Sequence, residues 1–266
     1  MKVSFQNPFF TYNQTFGTNA HTYTNNEGKF RCSLTYLFRS DLDWKNFTDY
    51  MVNHFKDKDD VNFIQFASSD GSEAFSQIMC LLDKGVDKFF PIEAYDIDKQ
   101  VVQAANSGFL NASKEDKQRC LKNGFDFDKY FTKTDKEIFM DDDAFSKYNA
   151  DDYRFKDMFT DTYKVSDKLR KRVNFHNADM YDILLGLEDN SNTVLMCRNI
   201  IGYFTDREKE LFTDLVARKL KRGSLFVVGE YDMQTLRPLK PTNDLDLILQ
   251  HKGFIPVMEN VYRKEY

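Results

Sequence analysis

The stretch VNFIQFASSDGSEAFSQIMCLLDKG, residues 61–85, decides the fold class. Its first eight residues, VNFIQFAS, form a short apolar run, the pattern of a buried strand. SDGSEAF is a turn, and SEAFSQIMCLLDKG reads as a helix closed by Gly85. The unit then repeats. FFPIEAYDID (89–98) predicts a second strand ending in acids, and DKQVVQAANSG (98–108) a second helix ending at Gly108. Strand, helix, strand, helix implies a parallel sheet with crossover helices.

Working outward, RVNFHNADMYDIL (172–184) begins as a strand, and NTVLMCRNI (192–200) predicts another. DREKELFTDLVARKLKRG (206–223) is an amphipathic helix, SLFVVGE (224–230) a strand, and the last 23 residues a closing helix and strand. On the N-terminal side, SDLDWKNFTDYMVNHFK (40–56) opens with Ser and Asp cap candidates and carries apolar residues at helical spacing. Residues 1–32 lack periodicity and read as an irregular aromatic arm. The alternation breaks at about 111–165, where the acidic run MDDDAFSKYNADD (140–152) falls, so an insertion or small subdomain is expected. The expected division is an arm with an active-site segment at 1–45 and one domain at 46–266.

Composition narrows the function. The 266 residues are 41% apolar and 30% charged, and no apolar run approaches the roughly 20 residues needed to span a bilayer. The net charge of −5 disfavours nucleic acid as a partner. The N-terminus lacks a signal-peptide pattern, and the four cysteines lack a paired spacing, so a cytoplasmic location is expected. The four histidines show no metal-ligand spacing, and no metal is expected.

Ligands of open α/β sheets bind outside the carboxyl ends of the strands. Gly71 there would let backbone approach a ligand closely, although the full GxGxxG fingerprint is absent. Asp96 follows roughly 20–25 residues later, at the end of the second strand, where a carboxylate can accept ribose hydroxyls. Asp98 is the better cap for the next helix, which leaves Asp96 to the ligand. A glycine turn and a ribose acid without a phosphate cradle fit an adenosine ligand lacking phosphates, such as S-adenosylmethionine (SAM).

Six segments resemble the chemotaxis-receptor glutamate methyltransferases, the CheR family. They are LTYLFRSDLDW, ASSDGSEAFS, EAYDIDKQVVQAANSGF, YKVSDKLRKRVNFHNADM, LMCRNIIGYF and GSLFVVGE, in the family's order from about Ser33 to Glu230. The resemblance implies a Rossmann-like SAM-dependent methyltransferase fold: a mostly parallel central sheet, helices on both faces and an antiparallel C-terminal strand. It implies that Thr35, Gly71, Glu73, Asp96, Asp179, Met180, Arg198 and Asn199 bind the cofactor, and that Arg39 and Tyr203 serve catalysis. The product cofactor would be S-adenosylhomocysteine, and the acceptor a carboxylate, as in a protein glutamate. The sequence departs from the family pattern at Ser33, Ser72, Ala74, Phe75 and Asp179, and most of the family's N-terminal helical domain is expected to be missing. Two other readings stay open: a non-catalytic SAM or S-adenosylhomocysteine sensor or scaffold, and a small-molecule methyltransferase. The sequence leaves the oligomeric state open.

Overall fold

The computed structural model describes residues 35–135, 161–188, 192–233 and 245–266, and the backbone of two short paired strands, β1 (Tyr23–Thr24) and β2 (Phe30–Arg31). The rest of the N-terminal arm, Ser33 and the acidic run 140–152 lie outside the described residues.

A seven-stranded sheet forms the centre. It is built from β3 (Val61–Phe66), β4 (Ile92–Asp96), β8 (Val173–Asn177), β9 (Asn192–Cys197), β10 (Leu225–Val227), β11 (Phe254–Met258) and β12 (Val261–Lys264). The strand order is β11-β12-β10-β9-β3-β4-β8. The five strands from β10 to β8 run parallel, whereas β12 is antiparallel to both β10 and β11. The C-terminal segment therefore supplies a hairpin, two strands where one was expected. Asn260, at a φ of 60°, makes its turn. β9 is buried along its whole length, as expected of a strand covered on both faces.

Two apolar layers cover the sheet. On one face α1 (Trp44–His54) and α2 (Ser72–Asp83) bury Trp44, Phe47, Met51, Phe75, Ile78 and Met79. Asp43 caps α1 by accepting the Asn46 N–H at 3.2 Å. α3 (Lys99–Ser107) starts at Asp98, which accepts the Gln100 N–H at 2.9 Å, and stops at Gly108. Beyond it, β5 (Phe109–Ala112), α4 (Lys114–Lys122), β6 (Phe131–Lys133) and β7 (Asp161–Val165) make a separate antiparallel sheet, ordered β5-β7-β6. Its Phe127, Phe131 and Tyr163 join the α1/α2 core. A short α5 (Asp167–Arg170) leads back into β8.

On the opposite face lie α6 (Met180–Gly186), α7 (Asp206–Lys219), the short α8 (Glu230–Met233) and α9 (Leu245–His251). Leu184, Phe212, Val216 and Leu249 pack there against Phe66, Leu195 and Phe226. Cys80, Cys120 and Cys197 are buried free thiols, and burial pushes Cys80 and Cys120 up to about 12. Such thiols are inert at neutral pH.

Candidate functional site

The chain leaves β3 towards β4 and β8 on one side, and β9 and β10 lie on the other. The gap between β3 and β9 is therefore the topological switch point, where an open α/β sheet binds ligands. The turn after β3 is strained. Ala67 and Ser69 adopt left-handed φ angles of 52° and 48°, which side chains rarely take outside functional turns. Gly71 follows at a φ of 90° and opens α2. A Cβ on Gly71 would lie 2.4 Å from Cζ of Phe175 in β8. Gly71 thus serves close packing of a phenyl ring, whereas the sequence reading gave its open face to a ligand.

Asp96 ends β4 and has a structural task that spacing did not reveal. Its Oδ2 accepts the Ser69 N–H at 2.8 Å, and its Oδ1 accepts the Asp98 N–H at 2.8 Å. It therefore ties the strained turn to the start of α3. A carboxylate has about four acceptor directions, so these two bonds leave capacity for a ribose hydroxyl. Asp179 and Met180 reach the same edge, because the adjoining Ala178 N–H donates to the Asp96 carbonyl at 3.1 Å. Asp179 is also the N-cap of α6, accepting the Tyr181 N–H at 2.9 Å.

Arg198, expected to face the cofactor, is the centre of a buried charge cluster. Its side chain is 0% exposed. It pairs with Asp41 through Nη2 and with Glu73 of α2 through Nη1 at 3.1 Å. The guanidinium carbon lies 5.0 Å from the Trp44 ring centroid, a cation–π distance. Arg39 adds a second guanidinium, with Nε 3.7 Å from Asp41. Burial pushes the Asp41 carboxyl up, but Arg198, the Glu230 N–H, Arg39 and Asn199 together bring it below the usual aspartate value. Burial also pushes Glu73 up, and the two arginines offset only part of that rise. Glu73 and Arg198 are thus brought together with Arg39, as partners of one another.

Asn199 follows at a φ of 60°. Its Nδ2 donates to Asp41 at 3.2 Å, and its Oδ1 accepts the Tyr231 N–H at 3.2 Å. The amide rests against Gly229, where a Cβ would come within 2.3 Å of Oδ1. The loop is held by a residue that no motif identified. Asp232 is 1% exposed and accepts the N–H groups of Asn199 (2.6 Å), Gly229 (2.8 Å) and Gly202 (3.1 Å). Burial pushes its carboxyl up to about 6 even though these donors favour the charged form. Tyr203 closes the loop, its ring 4.9 Å from that of Tyr231. In sequence, Asp232 is one acid in the run GEYD, with nothing to separate it from a solvated one.

Thr35 and Arg39 belong to a segment gripped by α4. The Leu37 N–H donates to Asp116 at 3.0 Å, and the Leu37 carbonyl accepts from Arg119 Nε at 2.9 Å. The Tyr36 ring lies between Arg119 and Arg39, at 4.8 and 5.8 Å from their guanidinium carbons. Phe38 donates its N–H to Ser76 of α2 at 2.8 Å and stacks on Phe125. Thr35 itself is half-buried. Asp116 and Arg119 could have drawn attention only through the capping pattern S-x-x-D that starts α4.

Several features of this edge fit a SAM ligand. Among the described residues, Ser68 Oγ and Arg198 Nε are buried with no hydrogen-bond partner, and no ion pair holds the Asp70 carboxylate. Such groups are costly unless a polar ligand meets them. Among the described residues no three His, Cys, Asp or Glu side chains are placed to hold a metal ion.

Comparison with known proteins agrees with this edge. The family described as "CheR methyltransferase, SAM binding domain" matches residues 33–140 and 123–238, more than half of the chain. The "Probable biofilm formation methyltransferase WspC" of Pseudomonas aeruginosa is 21% identical over 177 residues, covering 66% of this chain and 35% of that protein. A "Chemotaxis protein methyltransferase" of Listeria monocytogenes is 31% identical over 78 residues, covering 29% of this chain and 28% of that protein. The chain thus spans about a third of the length of these relatives. Among solved structures, DszA carbon methyltransferase aligns with a TM-score of 0.43 at 10% identity, over 82% of this chain and 51% of that one. Human N-acetylserotonin methyltransferase in complex with SAM aligns with a TM-score of 0.37 at 12% identity, over 82% of this chain and 52% of that one. The sheet order, the loops at its carboxyl edge and the matched residues lead to one assignment: the chain belongs to the CheR methyltransferase family through its SAM-binding domain, and SAM is its cofactor.

Proposed function

We propose that the chain is a SAM-dependent methyltransferase whose acceptor is a carboxylate, with a glutamate side chain of a protein as the substrate. The observation that carries this reading is the placement of Arg39. Its guanidinium stands at the rim of the buried cluster, backed by Tyr36 and Asp41, on a segment clamped by α2 and α4. A guanidinium is the side chain best suited to orient a carboxylate through paired hydrogen bonds.

The cofactor supplies an electrophilic methyl on a sulfonium. A glutamate is already ionised at neutral pH, with a reference pKa of about 4.3, so it needs no general base. The protein's work is to hold the acceptor in line and exclude water, which can supply about 7–11 kcal/mol of the barrier. Arg39 would orient the carboxylate, and Tyr203, backed by Tyr231, would wall the path of the methyl group. Asp96 would hold the ribose, and Asp179 and Met180 the adenine side. The name of the Listeria monocytogenes relative, a chemotaxis protein methyltransferase, supports a protein acceptor. We place this reaction in the cytoplasm; no helix among the described residues is long and apolar enough to cross a membrane.

A second reading, a SAM or S-adenosylhomocysteine sensor, draws support from the charge balance of the cluster. Arg39 and Arg198 face Asp41 and Glu73, two charges of each sign, so the cluster is already compensated without an acceptor. The deciding assay is tritiated methyl transfer from SAM into lysate protein, followed by alkaline release of methanol. Base-labile label supports carboxylate methylation, and base-stable label moves the acceptor to another atom. Tight cofactor binding without incorporation into protein or small molecules favours the sensor.

A further inference from the structure

Three distant parts of the chain converge on Asp41. Its carboxylate accepts from Nη2 of Arg198 and from Nδ2 of Asn199 at 3.2 Å, both on the loop after β9. The Glu230 N–H, at the start of α8, donates to it at 3.0 Å. The Asp41 backbone carbonyl accepts Nδ2 of Asn260 at 2.8 Å, across 219 residues of sequence. Asn260 is itself fixed in the turn of the β11–β12 hairpin, where its carbonyl accepts the Val228 N–H at 2.9 Å. The Asp41 side chain is 7% exposed. Local structure does not account for it, because Asp43 is the residue that caps α1.

Arg39 lies two residues before this hub. Its carbonyl accepts the Trp44 indole N–H at 2.9 Å, and its Nε lies 3.7 Å from the Asp41 carboxylate. Leu37 and Phe38 fix the segment to α4 and α2. Asp41 is where the same segment meets the loops after β9 and β10. A buried ionic hub is poor evidence for stability, since apolar packing would serve as well, but it specifies one geometry. A guanidinium on a flexible stem orients a substrate only when its surroundings hold the head in place. We infer that Asp41 is a positioning residue, which sets the Arg39 guanidinium against the loop that carries Asn199 and Tyr203. This inference rests on the reading of Arg39 as the clamp for the acceptor carboxylate. Asp41 acts through Arg39 and does not touch the reacting atoms.

The first readout needs no methyl acceptor. Phenylglyoxal modifies arginine guanidinium groups, and mass spectrometry of the digested full chain locates them. Asp41→Asn keeps a side-chain oxygen for the neighbouring donors but loses the charge. It should speed the labelling of Arg39 about two- to fivefold, as expected for release of one partly exposed ion pair. Arg172, 29% exposed and paired with Asp87 at 3.5 Å, should label at the wild-type rate, whereas a general loosening of the fold would speed both. The second readout is tritiated methyl transfer from SAM into lysate protein. It should fall about 10–100-fold in Asp41→Asn, the cost of a misplaced orienting group. Calorimetry with S-adenosylhomocysteine should stay within about threefold of wild type. Asn260→Gly keeps the left-handed turn and removes the amide that holds the Asp41 carbonyl. It should move both readouts the same way by less, and it carries the test if Asp41→Asn does not fold. Wild-type labelling of Arg39, equal acceleration at Arg39 and Arg172, or undiminished methyl transfer beside faster labelling would each overturn the inference. A wild-type chain that transfers no methyl would instead sink the proposed function, and the labelling would still decide whether Asp41 holds Arg39.

Discussion

The carboxylate of Asp116 accepts the backbone N–H of Leu37 at 3.0 Å across 79 residues of sequence. Arg119, one turn further along α4, donates to the carbonyl of the same residue. The pair completes both hydrogen-bonding groups of Leu37, as a neighbouring strand would, and so sets the position of Arg39 two residues on.

Loss of that grip should be measurable. Asp116→Ala strands a buried N–H, at about 1–3 kcal/mol, and removes the reciprocal half of the α4 capping box. A urea midpoint clearly below that of the wild-type chain is expected. Arg119→Lys keeps the charge but not the planar fork and should cost less stability. If the Asp116→Ala variant unfolds at the wild-type midpoint, the grip contributes nothing.

Asp96 holds two backbone N–H groups and is placed for a ribose. Asp96→Ala should reduce S-adenosylhomocysteine affinity by about 1.5–3 kcal/mol, measured by calorimetry on folded protein. Full affinity in that variant would remove Asp96 from the binding edge and leave it as a tie between turns.

Arg39→Ala and Tyr203→Phe should separate chemistry from binding. Methyl incorporation should fall strongly in both while S-adenosylhomocysteine affinity stays within a few fold, the pattern for lost transition-state positioning. A parallel fall in cofactor affinity would instead put these side chains on the cofactor.

Asp70 and Asp232 both have carboxyls raised from 3.8 to about 6, chiefly by burial. Between those values the folded chain binds protons more tightly than the unfolded chain, so their contribution to stability falls as pH rises. Asp70→Asn removes one of the two titrations. Relative to wild type, the variant should gain stability on going from pH 4.5 to pH 7, on the order of 2 kcal/mol. Urea unfolding at the two pH values measures it, and a constant difference between the chains would refute the shift at Asp70.

The succession of elements was legible because its determinants are local. The apolar run 61–68, the Asp98 cap and the stop at Gly108 act within a few residues of themselves, and the structure has a strand at Val61–Phe66 and a helix at Lys99–Ser107. Asp96 ends β4, and Asp179, Asn199 and Tyr203 lie in the segments that follow β8 and β9. The roles at this sheet edge were a different matter. The sequence offered Arg198 to the cofactor and gave no sign of its buried partners, Asp41, 157 residues away, and Glu73. Gly71 looked like a ligand approach until Phe175 of another strand filled its face. Asp232, Asp116 and Asp70 are acids in a chain with 42 acidic residues, and composition cannot tell a solvated carboxylate from a buried one. Periodicity and capping report on neighbours in the chain, whereas charge pairing and desolvation depend on which groups the packed sheet brings within a few ångströms, and only the tertiary structure sets those distances.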